Sequence, residues 1–137
     1  MVDAYSKDAG YKANIVLINC GTNDAALAID PPGAGDRMLV QLENIWASPS
    51  MSSTCIMLST VLPNGNAAVK LHQPTINKVY RELVVQQAAA GRCIYLAEMD
   101  SSTGGAQSWI NVATDISDDG THPNVSIFSA PAASWVH

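Results

Sequence analysis

Three short apolar runs rich in β-branched residues alternate along this chain with segments whose apolar residues recur at helical spacing. The runs cover residues 15–20, 54–62 and 92–99. Continuous runs of this kind are typical of strands buried on both faces, which occur in parallel sheets. Alternating strands and helices imply right-handed crossovers, with helices covering both faces of the sheet. The sequence therefore predicts a three-layer α/β/α fold.

Two of the intervening segments have clear helical periodicity. Apolar residues keep this spacing at Met38, Leu39, Leu42, Ile45 and Trp46, and again at Ile76, Val79, Tyr80, Leu83 and Val84. We expect the first helix to begin near residue 35 and the second at Pro74, with Gly91 capping its end. His72 is then a loop residue. A third, weaker helix is predicted around residues 106–116, and Trp46, Tyr80 and Trp109 are expected in the core.

The composition fits one globular domain and excludes two classes of partner. The chain has 137 residues, of which 47% are hydrophobic and 14% charged, and its net charge is −5. Nucleic-acid affinity depends on clustered Lys and Arg, so an acidic chain with seven scattered basic residues argues against that partner. No apolar run approaches the roughly 20 residues that cross a bilayer. Residues 1–12 show no pattern of a secretory signal, and the natural compartment stays open.

The cysteines and histidines give no indication of a metal or other cofactor. Cys20, Cys55 and Cys93 are odd in number, and each lies within or beside a predicted strand. We expect them to be small buried apolar residues. There is no C-x-x-C pair, and the three histidines are widely dispersed, so no zinc site is predicted.

Two polar motifs follow the predicted elements at the edge where open parallel sheets bind ligands. G-T-N-D at residues 21–24 comes directly after the first strand, and D-G-T-H-P at residues 119–123 comes after the last helix. Ligands of such sheets bind beyond the carboxyl ends of the strands. Either motif alone has an ordinary explanation, a turn in the first case and a surface histidine in the second. Together they indicate a site.

In this order and context the motifs resemble those of the SGNH/GDSL hydrolase family, over roughly residues 14–124. The resemblance implies a flavodoxin-like parallel sheet and hydrolysis of carboxylic esters by a Ser-His-Asp mechanism through an acyl-enzyme. His122 is implied as the base, Asp119 as the group that orients it, and Asn23 as an oxyanion donor, with Gly21 and Asp24 as supporting positions. Acetyl groups on carbohydrate are the favoured substrates, and complete members of the family are often secreted.

The nucleophile of the family is missing from the expected place. Its serine lies in a G-D-S block upstream of G-x-N-D, but only 20 residues precede Gly21 and none forms that block. Ser6 has no strand before it and receives no role. Residues 125–137, with Pro131, are an atypical tail where the family has a helix. We therefore interpret residues 1–137 as a single partial domain, N-terminally truncated, with its nucleophile unknown.

Three functions remain open at this stage. The first is an esterase that is inactive alone because the serine is absent. The second is a non-catalytic remnant or interaction module that self-associates through the sheet edge left open by a missing strand. The third is a flavodoxin-like binder of a small ligand, although the chain has no Gly-rich phosphate loop.

Overall fold

A computed structural model describes residues 13–100 and 110–124 of the chain. The elements follow one another as strand β1, helices α1 and α2, strand β2, helix α3, strand β3 and helix α4. Their bounds are β1 Ile15–Ile18, α1 Thr22–Ala26, α2 Ala34–Ala47, β2 Cys55–Ser59, α3 Ala67–Ala89, β3 Ile94–Ala97 and α4 Val112–Asp115, with a 3₁₀ turn at Pro31–Gly33.

The predicted parallel sheet is confirmed. Its strand order is β1-β2-β3, and both neighbouring pairs are parallel, with Ile18 opposite Leu58 and Leu58 opposite Leu96. Each strand is shorter than the apolar run that predicted it. The last residues of each run continue past the strand into the loops at the carboxyl edge, and Asn19, Cys20 and Leu62 from the first two runs line a cleft there.

One continuous core lies between the sheet and the helices. It joins Ile18, Ile56, Leu58 and Ile94 of the strands to apolar residues of α2 and α3. The core positions predicted for Trp46 and Tyr80 are confirmed, since both are buried, and the indole N–H of Trp46 donates to the Thr54 carbonyl at 3.1 Å. Trp109 lies outside the described residues.

The opposite face of the sheet is open across the described residues. Ile15, Leu17, Met57 and Tyr95 point to that side and are exposed, Leu17 by 73%. We expected helices on both faces, but α2 and α3 pack on the same one. The three strands have the same order in the sheet as in the sequence. Two successive right-handed crossovers in that order place both connecting helices on the same face of the sheet. Of the predicted third helix, the described part forms only the single turn α4.

Helix α3 begins seven residues earlier than the sequence predicts. It starts at Ala67 because the Asn66 side chain caps it, accepting hydrogen bonds from two backbone N–H groups of the first turn. Pro74 therefore lies inside the helix, and His72 is helical and not in a loop. The predicted cap at the other end is confirmed, since Gly91 adopts φ +83° directly after the helix.

The length of α3, 23 residues, does not make it a membrane helix. It carries Lys70, Lys78, Arg81 and Glu82 along its course. Among the helices of the described ranges, none combines the length and apolar character that crossing a bilayer requires.

A disulfide links Cys55 to Cys93, so the prediction that these two are simply small buried apolar residues is wrong. The register places the two residues side by side at the amino ends of β2 and β3, with their Cα atoms 4.5 Å apart. Sequence spacing could not reveal this contact, because it depends on which strands become neighbours. Cys20 is free and half-buried.

Reduction of this disulfide should lower the free energy of unfolding by about 4 kcal/mol, because the bond closes a loop between residues 38 apart in sequence. Urea unfolding with and without dithiothreitol, with a thiol count at each condition, measures the difference. The Cys20→Ala variant should keep the full response to the reductant. Equal urea midpoints in the oxidised and the fully reduced protein would contradict a stabilising role.

Candidate functional site

The two polar motifs meet in one cleft at the carboxyl edge of the sheet. The cleft has a volume of about 560 Å³ and is lined by residues 19–24, Leu62 and residues 121–123. The first group leads from the end of β1 into α1, while Leu62 belongs to the loop after β2. The structure therefore brings together segments that lie about a hundred residues apart in the sequence.

Gly21 allows the chain to turn from β1 into α1 within a tightly packed corner. Its φ of +110° suits glycine and strains other residues. A Cβ added there would lie 2.9 Å from Cγ2 of Val61 and 3.1 Å from the hydroxyl of Tyr80. Both the backbone angle and the packing therefore require glycine. Helix α1 itself was not predicted, and the G-T-N-D motif forms its entrance.

Asn23 and Asp24, the last two residues of that motif, have different surroundings. Asn23 is exposed at the cleft, and its side chain makes no hydrogen bond to the rest of the described chain. Its amide is thus available to a ligand. Asp24 instead faces Arg37, whose Nη2 lies 3.4 Å from Oδ2. The same guanidinium donates to the Ile29 carbonyl at 2.8 Å, so Asp24 helps to fix the loop after α1.

His122 and Asp119 form a close pair at the rim of the cleft. Nδ1 of His122 lies 2.6 Å from Oδ2 of Asp119. The histidine side chain is 77% exposed, and this contact leaves Nε2 free. A carboxylate on Nδ1 holds the proton there and directs the Nε2 lone pair outward, which is the arrangement a general base requires.

The loop around Asp119 gathers hydrogen bonds onto its carboxylate. The backbone N–H groups of His122 and Thr121 donate at 3.0 and 2.8 Å, and the Ser117 hydroxyl donates at 3.0 Å. These donors, led by the His122 backbone and then its ring, hold the pKa of Asp119 well below its usual range. The Asp119 carboxylate therefore stays charged from neutral to mildly acidic pH.

Backbone contacts dock this loop onto the loop that precedes α3. Ile116 and Pro123 form an antiparallel bridge that closes it, and Gly65 donates its N–H to the Gly120 carbonyl. A Cβ on Gly65 would lie 2.9 Å from Cα of Gly120, which itself has φ +73°. Two glycines thus permit the close approach that carries His122 to the cleft.

A buried clamp from α3 holds the wall of the cleft. The Asn77 side chain accepts from the Val61 N–H at 2.7 Å and donates to the Val61 carbonyl at 3.3 Å, while Gln73 donates to the same carbonyl at 3.0 Å. Sequence reasoning missed both residues. The available indication was their spacing, since Gln73 and Asn77 are polar residues four apart, with Asn77 next to Ile76 on the buried face of α3.

A charged cluster joins the carboxyl ends of β2 and β3. Nε of Arg81 lies 2.7 Å from Oε2 of Glu98, Nη2 lies 3.2 Å from Oδ2 of Asp100, and the Thr60 hydroxyl donates to Glu98 at 2.8 Å. Burial raises the pKa of Glu98, but the hydrogen bonds from Arg81 and Thr60 outweigh it and the pKa is lowered. This cluster also escaped prediction, and it stabilises the edge on which the cleft is built.

No serine of the described residues lines the cleft. Ser59 ends β2, but its hydroxyl is buried without a hydrogen-bond partner, and Ser117 is engaged by Asp119 and the His122 carbonyl. Ser6 lies outside the described residues. Cys20 does line the cleft, with Sγ 4.0 Å from the Tyr80 hydroxyl. Burial raises the pKa of this thiol, which disfavours the nucleophilic thiolate.

The described residues also give no candidate metal centre. Within residues 13–100 and 110–124, no three His, Cys, Asp or Glu side chains are close enough to bind one ion. The cleft itself is lined by the imidazole of His122, the Asn23 amide, the Cys20 thiol and the Asp24 carboxylate.

No family model, curated protein or solved structure matches this chain.

Substitution of Gly21 by alanine should destabilise the protein more than the same change at Gly91. Both residues have positive φ, but a Cβ on Gly91 meets nothing within 4 Å. Gly91→Ala should therefore cost about 1 kcal/mol for the backbone alone, whereas Gly21→Ala adds a packing clash of about 1–3 kcal/mol. Urea unfolding of the two variants measures both losses. Equal losses would contradict the packed corner.

The Asp119 carboxylate should remain charged well below the pH at which an ordinary aspartate takes up its proton. Its pKa is lowered in the folded chain, so its stabilising contribution is complete above the unfolded value of about 3.9. That contribution is lost as the pH falls through the lowered folded value. A ¹³C NMR titration of the carboxyl carbon from pH 6 to pH 2 tests this, and His122→Ala should raise the midpoint. An ordinary midpoint in the unmodified protein would contradict the network.

Proposed function

We propose that the cleft is the base and oxyanion side of a carboxylic ester hydrolase site of the SGNH kind. The observation that carries the proposal is the 2.6 Å contact between His122 and Asp119 in a cleft shared with Asn23. The order of the two sequence motifs supports the same family. The His122–Asp119 contact by itself supports a general base. The position of Asn23 in the same cleft supports acyl transfer, because its amide can donate to an oxyanion.

In this mechanism each of the three residues acts on a different atom. Nε2 of His122 takes the proton of an attacking hydroxyl, while Asp119 keeps Nδ1 protonated and stabilises the imidazolium that forms. The Asn23 amide donates to the oxygen that becomes negative as the carbonyl carbon is attacked. His122 then returns the proton to the departing alcohol. No serine among the described residues lines the cleft to act as the nucleophile, so we expect the isolated chain to be a weak catalyst.

The favoured substrates are small acyl esters of hydroxyl-rich molecules, with acetyl groups on carbohydrate as the leading case. The polar residues of the cleft beside the base support this choice: Asn19, Thr22, Asn23 and Thr121 present amides and hydroxyls without charge. Such groups form hydrogen bonds with sugar hydroxyls. The reaction needs no cofactor.

The alternative is a non-catalytic module that associates through the outer edge of β1. The exposed Ile15 and Leu17 on that strand favour it. Association uses a different surface from the cleft, so it can be measured separately from ester hydrolysis.

Hydrolysis of p-nitrophenyl acetate by the purified full chain tests the hydrolase proposal. A site that lacks its nucleophile retains part of its rate enhancement through the remaining groups. We expect slow turnover above the buffer rate, a loss of at least about tenfold in His122→Ala, and a similar loss in Asn23→Ala. His72→Ala is the matched control, because it removes a histidine from α3, away from the cleft.

Two results would contradict the proposal: rates unchanged in His122→Ala, or equal losses in His122→Ala and His72→Ala. The second would mean that histidines react with the ester wherever they are. A fluorophosphonate probe gives separate information, because labelling of a serine, located by mass spectrometry, would identify a nucleophile within the chain.

A further inference from the structure

Among the described residues, the outer edge of β1 has backbone groups that no other strand pairs with. Asn14 accepts a hydrogen bond from the Cys55 N–H at 2.9 Å, so the even-numbered residues of this segment direct their backbone groups toward β2. Because backbone direction alternates along a strand, Ile15 and Leu17 direct their N–H and C=O groups outward. No strand of the described residues pairs with that edge.

This edge also lacks the features that usually prevent strand pairing. Residues 13–19 contain no charged residue and no proline, and the exposed side chains Ile15 and Leu17 are apolar. The other outer strand, β3, differs, since Arg92 precedes it and Glu98 follows it. The chain has a net charge of −5, but β1 itself carries no charge. A second copy can therefore approach this edge without charge repulsion from the strand.

We propose that two copies of this chain form a symmetric dimer by antiparallel pairing of β1 with β1. In such a pair, the residues whose backbone groups point outward, Ile15 and Leu17, must lie opposite outward-pointing residues of the partner. A two-fold axis at Val16 meets this condition and keeps the paired residues within β1. Ile15 then pairs with the partner's Leu17, and Leu17 with the partner's Ile15. Each pair exchanges two hydrogen bonds, which makes a six-stranded sheet across the dimer.

The side chains are compatible with this register. Ile15 and the partner's Leu17 lie on the same open face, next to Met57 and Tyr95, so the exposed apolar surface becomes continuous across the two-fold axis. A four-residue strand pair is a small interface, below the roughly 1,200 Å² of total buried surface at which stable specific complexes begin. We therefore expect a weak dimer whose population depends on concentration.

The dimer leaves both clefts open. Each cleft lies beyond the carboxyl end of its β1, and antiparallel pairing places the two ends on opposite sides of the six-stranded sheet. This inference does not depend on the proposed hydrolase function, and failure of one leaves the other untouched.

Size-exclusion chromatography with light scattering, over about 1–200 μM of the full chain, tests the proposal. We expect the mass to rise from one to two chains, and Leu17→Lys to raise the dissociation constant at least tenfold, because it puts a charge on the edge strand and makes the lysines of the two copies diagonal neighbours on one face. Leu71→Lys is the matched control, since Leu71 is 71% exposed on α3 and Leu17 is 73% exposed. Circular dichroism verifies that both variants fold.

A cross-link tests the register. In a non-hydrogen-bonded antiparallel pair the two Val16 Cα atoms lie about 4.5 Å apart, within the range of a disulfide. Val16→Cys in a Cys20→Ser background should therefore give a covalent dimer on mild oxidation, and Val40→Cys on the exposed side of α2 should not. A monomer at every concentration, larger oligomers, a dimer that Leu17→Lys leaves intact, or equal cross-linking of the two cysteine variants would overturn the proposal.

Discussion

The side chain of Asn77 makes the contact on which the carboxyl edge of this molecule depends. It satisfies both the N–H and the C=O of Val61, at a point where the chain has left β2 and has no strand partner. Buried backbone groups without partners are costly, so the clamp fixes where the loop can run. Val61 in turn packs against Gly21, and this packing sets the place at which β1 turns into α1. One buried amide on a helix thus determines the position of a motif more than fifty residues earlier in the chain.

The second support of the edge is ionic. Arg81 lies one turn beyond Asn77 on α3 and contacts both Glu98 and Asp100, so the same helix holds the ends of β2 and β3. Asn77 also donates to Asp100 at 2.9 Å, which joins the neutral clamp to the charged cluster. A network whose members all have partners makes the edge rigid. The His122 loop rests on this edge through Gly65 and Gly120, and the Thr121 hydroxyl also donates to the Asn64 side chain at 3.5 Å.

The difference between local and long-range contacts explains how much the sequence could predict. The strand and helix order follows from periodicity, and the pairing of Asp119 with His122 follows from a separation of three residues, so both were predictable. The start of α3 was missed because a single cap at Asn66 outweighs the usual preference for proline in a first helical turn. The Asn77 clamp and the Cys55–Cys93 bond were missed because each joins distant segments that carry no shared motif. The open face was missed because it depends on the order of strands in space.

The Cys55–Cys93 bond lies at the amino ends of β2 and β3, and the cleft lies at the opposite edge of the sheet, beyond the carboxyl ends of β1 and β2. The two ends of one small sheet are therefore sensitive to different properties of the surroundings. Thiol reductants act on the first end, whereas acid acts on the second through the carboxylates of Asp119 and Glu98. In an oxidising compartment near neutral pH, the disulfide stays formed and the carboxylates of Asp119 and Glu98 stay charged. In a reducing environment the sheet loses its covalent tie while the wall of the cleft keeps its hydrogen bonds.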